Sequence, residues 1–155
     1  MKFKIFLSTF LKYGTLLTTL GFISSVSLQI YARFFLTDVP SWTEEASRML
    51  FIYSVSFASG LAYRGNYFVY LEAFYIGFSN KTKKMVDLVS PILSFLLFGI
   101  TAWYAIAVFQ MGFSESSPSL QIMMAIPFFS LLILSCSVSF YSLLSLLKKI
   151  KYWKL

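Results

Sequence analysis

LVSPILSFLLFGITAWYAIAVFQMGFS, residues 88–114, holds no Asp, Glu, Lys or Arg. A helix rises 1.5 Å per residue, so roughly 20 apolar residues cross the ~30 Å hydrocarbon core of a bilayer. This stretch is long enough. Residues 13–32, 49–63 and 116–147 are equally free of charge. The run 49–63 reaches spanning length if its helix begins near Trp42. The runs are continuous, whereas barrel strands would alternate over about 10 residues with a period of two. A helix satisfies its own backbone hydrogen bonds and can face lipid on any side.

These runs predict an all-α integral membrane protein. Its transmembrane helices are expected at about 11–35, 42–63, 84–113 and 120–147, in a single domain over residues 1–155. Composition agrees. The 155 residues are 58% hydrophobic and 20% aromatic, against about 45–50% apolar in soluble domains on a count that includes Gly.

The net charge of +7 does not point to nucleic acid, because the cations cluster at helix ends. Lys2, Lys4 and Lys12 precede or open the first span. Arg64, Lys81, Lys83 and Lys84 lie between the second and third. Lys148, Lys149, Lys151 and Lys154 follow the fourth. Only Arg33 and Arg48 fall in the other two connections, beside Asp38, Glu44, Glu45 and Glu115. Cytoplasmic loops carry the excess of Lys and Arg, so both termini are expected in the cytoplasm. Membrane lipid is the surrounding partner.

Lys2 and Lys4 before an apolar run ending in Ser24, Ser25 and Ser27 have the look of a signal peptide. Lys12 interrupts that pattern, and the uncharged run exceeds the usual core of about 7–15 residues. An uncleaved first helix is expected.

Between the second and third spans, residues 67–79 are aromatic and apolar apart from Glu72. They are too few to span. Tyr67, Tyr70, Leu71, Phe74, Tyr75 and Phe78 recur at helical spacing, so a short interfacial helix is expected, ended by residues 80–84. Pro91 is expected to kink the third helix. Pro127 either begins or kinks the fourth.

Ser41-Trp42-Thr43-Glu44 reads as a capping box, with Ser41 at the cap and Glu44 reaching back to its amide. Arg48 follows Glu44 by four residues and Glu45 by three, so all three can share one helix face. That cluster has three readings: a cap with an ion pair, a docking contact, or the site of a small membrane enzyme working at the lipid interface. Chemistry is otherwise sparse. The chain has no His and one Cys, Cys136, inside the fourth span. No ionisable group sits in the middle of any span, where a membrane enzyme or autonomous carrier places its working groups. Serine in a membrane helix is a packing residue. The chain reads as a packing subunit rather than an enzyme, and a scaffold subunit of an unrelated complex is the other non-catalytic reading.

Tyr31-Ala32-Arg33-Phe34-Phe35-Leu36, then Pro40-Ser41-Trp42-Thr43-Glu44-Glu45-Ala46-Ser47-Arg48, then Ala62-Tyr63-Arg64-Gly65-Asn66 resemble the small, DctQ-type membrane subunit of tripartite ATP-independent periplasmic (TRAP) transporters. In that family an Arg-aromatic pair ends the first helix and a Trp-x-Glu-Glu-x-x-Arg element opens the second. A basic-Gly element then leads to an amphipathic piece with an acid, here Glu72. Asn66 stands where the family often has His, and Glu72 where it often has Asp.

The resemblance implies a small permease subunit in a bacterial inner membrane. Its partners would be a large membrane subunit and a periplasmic solute-binding protein that delivers an organic acid, such as a C4-dicarboxylate or sialic acid. Sodium and substrate would bind the large subunit, leaving no cofactor in this chain. Arg33, Trp42, Glu44, Glu45, Arg48, Arg64, Asn66 and Glu72 would serve docking or assembly.

Overall fold

The computed structural model describes residues 2–36, 40–65 and 77–153. Among them run four helices: α1 (Lys2–Phe35), α2 (Trp42–Gly65), α3 (Asn80–Met111) and α4 (Ala125–Trp153). The fold is all-α, with one isolated bridge between Ser116 and Met123 in the α3–α4 connection. α1 packs on α2, α2 on α4, and α4 on α3. α2 and α4 are therefore interior helices, and α1 and α3 are flanks.

Lys4–Phe35, Asn80–Met111 and Ala125–Lys151 are long and apolar enough to cross a membrane. α2 is the exception. Its 24 residues carry Glu44, Glu45, Arg48 and Arg64, and its buried positions are Thr43, Ser47, Ser54, Ser56, Phe57 and Gly60. Packing explains the composition. A helix held between two others presents less surface to lipid, and small side chains let the backbones approach.

Large apolar side chains point outward. Leu17, Leu97, Trp103 and Phe34 are among the exposed ones, while fully buried positions include Ser56, Ser130, Ser135 and Ser142. This distribution suits a hydrocarbon solvent, in which apolar exposure costs nothing and close packing supplies the cohesion. The hydroxyls of these four serines are satisfied within their own helices: Ser56 donates to the Ile52 carbonyl at 2.8 Å, Ser130 to Pro127 at 2.6 Å, Ser135 to Leu131 at 2.7 Å and Ser142 to Ser139 at 2.8 Å. Leu11 of α1, Phe57 of α2 and Tyr141 of α4 form the apolar centre. Beside it, a Cβ on Gly60 would lie 2.8 Å from the Ser137 side chain and 3.0 Å from Leu11. Three helices meet there because Gly60 has no side chain.

Several helix ends differ from expectation. α3 starts at Asn80, so residues 80–84 open this helix instead of ending an earlier one. Ser79 is its N-cap, accepting from the Thr82 amide at 3.3 Å. Lys81, Lys83 and Lys84 then extend the helix beyond its apolar run, since Lys is a good helix former with a stem that reaches head groups. α4 starts at Ala125 rather than near 120, because residues 112–124 close a tight hairpin. It continues past 147 to Trp153 for the same reason that α3 starts early. Pro91 lies inside α3 without ending it, and Pro127 occupies the first turn of α4, where a missing amide costs no helix bond. The expected interfacial helix over 67–79 falls mainly on residues 66–76, outside the described ones. Its last positions, Gly77 to Ser79, are turn, bend and cap.

Candidate docking surface at the hairpin end

One end of the bundle gathers the α3–α4 hairpin and the start of α2. The hairpin is built on backbone bonds. Ala125 donates to the Gly112 carbonyl at 2.9 Å, Met124 to Glu115 at 3.0 Å and Ser117 to Ile122 at 2.8 Å. Gly112 is required by this closure, since a Cβ there would sit 2.4 Å from the Ala125 nitrogen. Gln121 takes a positive φ of 55° at the tip, a conformation that most side chains resist.

Glu45 fastens this hairpin to α2. Its Oε2 accepts the amides of Ser119 at 3.0 Å and Leu120 at 2.8 Å. Ser117, fully buried, sets its hydroxyl against the same carboxylate, outside strict hydrogen-bond geometry. Two amides converging on one carboxylate oxygen are charge-assisted bonds, stronger than neutral ones. Nearby, the Tyr53 hydroxyl donates to the Ile126 carbonyl, and the Ser25 hydroxyl of α1 donates to the Thr43 carbonyl at 3.0 Å. The start of α2 is thus tied to α1 and to the hairpin, and its middle, at Tyr53, to the first turn of α4.

The expected Glu44–Glu45–Arg48 cluster is divided. Arg48 donates to Glu44 on the exposed face, while Glu45 turns to the hairpin. The capping box is also not made. Thr43 donates to the Pro40 carbonyl through its amide at 3.2 Å and its hydroxyl at 2.8 Å, and the Glu44 carboxylate is engaged by Arg48 instead of reaching back. Glu44 and Glu45 in the first turn still complement the positive end of the helix dipole. The Arg48–Glu44 pair has side-chain exposures of 73% and 57%, so it contributes about 0–1 kcal/mol and leaves both groups open to a partner. Trp42 is exposed beside them.

Arg33 lies in the last turn of α1. Ser25 is level with Thr43, so Arg33, eight residues further on (33 − 25), stands about 12 Å along the axis beyond it. Arg64 is at the opposite end of α2, among Lys4, Lys148 and Lys149. Asn66 and Glu72 lie outside the described residues. Of the site residues expected from sequence, the structure therefore groups Trp42, Glu44, Glu45 and Arg48 at one end and separates Arg64 from them.

Sequence reading missed the partners of Glu45 and the link between Asp87 and Lys149, whose Nζ donates to the Asp87 carbonyl at 2.7 Å and its Oδ1 at 3.4 Å. The connection left between the expected spans 84–113 and 120–147 holds the turn-forming Ser116-Ser117-Pro118-Ser119, which mark this hairpin but not its bond to Glu45.

Apolar flanks, a small-residue interior and polar features confined to the ends define a multi-pass helical membrane protein built for packing. The family described as tripartite ATP-independent periplasmic transporters, DctQ component, matches residues 22–151, which include parts of all four helices. The chain belongs to that family. It is a small component of a TRAP transporter of the inner membrane, in a family of transport components rather than enzymes. No individual curated protein matches the chain.

Proposed function

We propose that this chain is the small permease subunit of a sodium-coupled TRAP transporter for an organic acid, such as a C4-dicarboxylate or sialic acid. It spans the membrane four times with both termini in the cytoplasm. It enlarges the static scaffold around the large membrane subunit and helps dock the periplasmic solute-binding protein.

One observation carries this reading: the helix interiors offer no charge for a cargo. No Asp, Glu, Lys or Arg occurs between Lys12 and Arg33 in α1, between Arg48 and Arg64 in α2, after Asp87 in α3, or before Lys148 in α4. Carriers hold anions and sodium near the bilayer midplane with polar groups, charges and broken helices. α1 to α4 are each unbroken. Substrate and sodium therefore belong to the large subunit, and this chain contributes surface. The exposed Trp42, Glu44 and Arg48 form the docking side, supported from behind by Glu45.

Co-purification tests the proposal. Expressed with the large subunit and drawn through a tag on either protein, the two should elute as one complex. Arg48→Glu should preserve that complex and raise the binding-protein concentration needed for half-maximal uptake by about tenfold, as reversal of a rim charge does. Separate elution of the two wild-type subunits would overturn the scaffold role. An unchanged binding-protein requirement would overturn the docking role.

A further inference from the structure

At the end of the bundle opposite the hairpin, α1, α2 and α4 enclose an open pocket of about 450 Å³. Its walls carry Lys4, Arg64, Lys148 and Lys149, and among the described residues no acidic side chain lines it. Lys149 is held at one edge by its bonds to Asp87. Lys4, Arg64 and Lys148 make no ion pair among the described residues. Like charges gathered around a concave site repel one another, and an anion relieves that repulsion.

A second observation points the same way. Tyr141 lines the pocket and is only 5% exposed, yet its hydroxyl is buried without a hydrogen-bond partner among the described residues. The Arg64 guanidinium is its nearby charge, outside strict hydrogen-bond geometry. A buried hydroxyl without a partner is costly, and such groups call for an acceptor supplied from elsewhere. An oxygen of a bound anion placed between Arg64 and Tyr141 would accept from both.

We propose that this pocket binds the head-group phosphate of an anionic phospholipid. The wall is not uniformly polar: Ile5 and Leu144 line it too, and α1 continues from it with the exposed Phe6. A head group seated among the cations can lay its acyl chain along that apolar flank, whereas a free phosphate has no use for it. Basic pockets between membrane helices on the cytoplasmic side bind anionic head groups by this combination. The inner leaflet as the source rests on the topology proposed above; binding itself does not.

The test is native mass spectrometry of the full chain in detergent, titrated with phosphatidylglycerol or phosphatidylcholine of identical acyl chains. Phosphatidylglycerol should bind preferentially at one per chain. Arg64→Gln with Lys148→Gln should weaken it by about tenfold or more. Lys81→Gln with Lys84→Gln removes the same charge outside the pocket and should leave binding intact, which separates a site from overall charge. Tyr141→Phe keeps the ring and should weaken binding a few-fold. Equal binding of the two lipids, or equal loss in both double variants, would overturn the proposal. So would displacement of the lipid by millimolar inorganic phosphate, which would make the free ion the ligand. So would unchanged lipid binding in Arg64→Gln/Lys148→Gln accompanied by weaker association with the large subunit, which would assign the pocket to a protein partner.

Discussion

Glu45 and Leu120 are 75 positions apart in sequence, and the Oε2 of the first accepts the backbone amide of the second at 2.8 Å. This bond, with its companion from Ser119, is the clasp between α2 and the hairpin. Glu45→Ala should therefore free both amides. Hydrogen–deuterium exchange at residues 117–121 should quicken by about tenfold or more, as expected for losing a bond to a charged group. Arg48→Ala, which removes only the exposed pair with Glu44, should leave that exchange rate unchanged. Equal effects from the two substitutions would mean that Glu45 is not the clasp.

Gly60 governs how closely α1, α2 and α4 approach. Gly60→Ala would put its Cβ 2.8 Å from the Ser137 side chain, and overpacking of this kind costs about 1–3 kcal/mol. Ser137→Gly removes the obstructing atoms. The double variant should be more stable than the sum of the single effects predicts, because the two sites are coupled through one contact. Thermal unfolding in detergent reads the four corners of this cycle. Additive effects would place the clash elsewhere.

The hairpin has its own pivot. Gly112→Ala would drive a Cβ to 2.4 Å from the Ala125 nitrogen, whereas a Cβ on Gly99 would meet nothing nearer than the Ser139 Oγ at 4.0 Å. Gly112→Ala should lower stability by about 1–3 kcal/mol. Gly99→Ala should be neutral or slightly stabilising, since Ala favours helix over Gly by up to about 1 kcal/mol. The same thermal measurement distinguishes them, and a neutral Gly112→Ala would show that the hairpin does not depend on that close approach.

The helices were legible in the sequence because hydrocarbon demands long uncharged runs, and residues 13–32 and 88–114 declare themselves by that rule alone. Helix ends were less legible. Lysines that look like loop markers at 80–84 and 148–151 continue their helices, since a helix does not stop at the hydrocarbon boundary. The cluster at Glu44, Glu45 and Arg48 was found by spacing, but spacing sees only one helix. Ser119 and Leu120 compete for Glu45 from a distant part of the chain through backbone amides, which no side-chain pattern encodes. Tyr141 was hidden in the same way: in the sequence it is one aromatic residue in an apolar run, and only the packing of α2 and α4 sets it beside Arg64.

The proposed orientation rests on charge segregation along the bundle. Lys4, Arg64, Lys148 and Lys149 gather at one end, which the positive-inside rule assigns to the cytoplasm. With Cys136 replaced, single cysteines at Ser41 and Ser116 should react with an impermeant thiol reagent in intact spheroplasts, and one at Lys83 should not. Labelling at Lys83 with protection at Ser41 would invert the topology.

The proposed division of labour gives this chain the scaffold and docking surface and the large subunit the cargo. Sodium-driven uptake of the transporter's organic acid into proteoliposomes tests it most directly. Uptake should appear when this chain, the large subunit and the binding protein are present together, and should be absent with this chain alone or with this chain omitted. Sodium-dependent uptake by this chain alone, or undiminished uptake without it, would contradict the account.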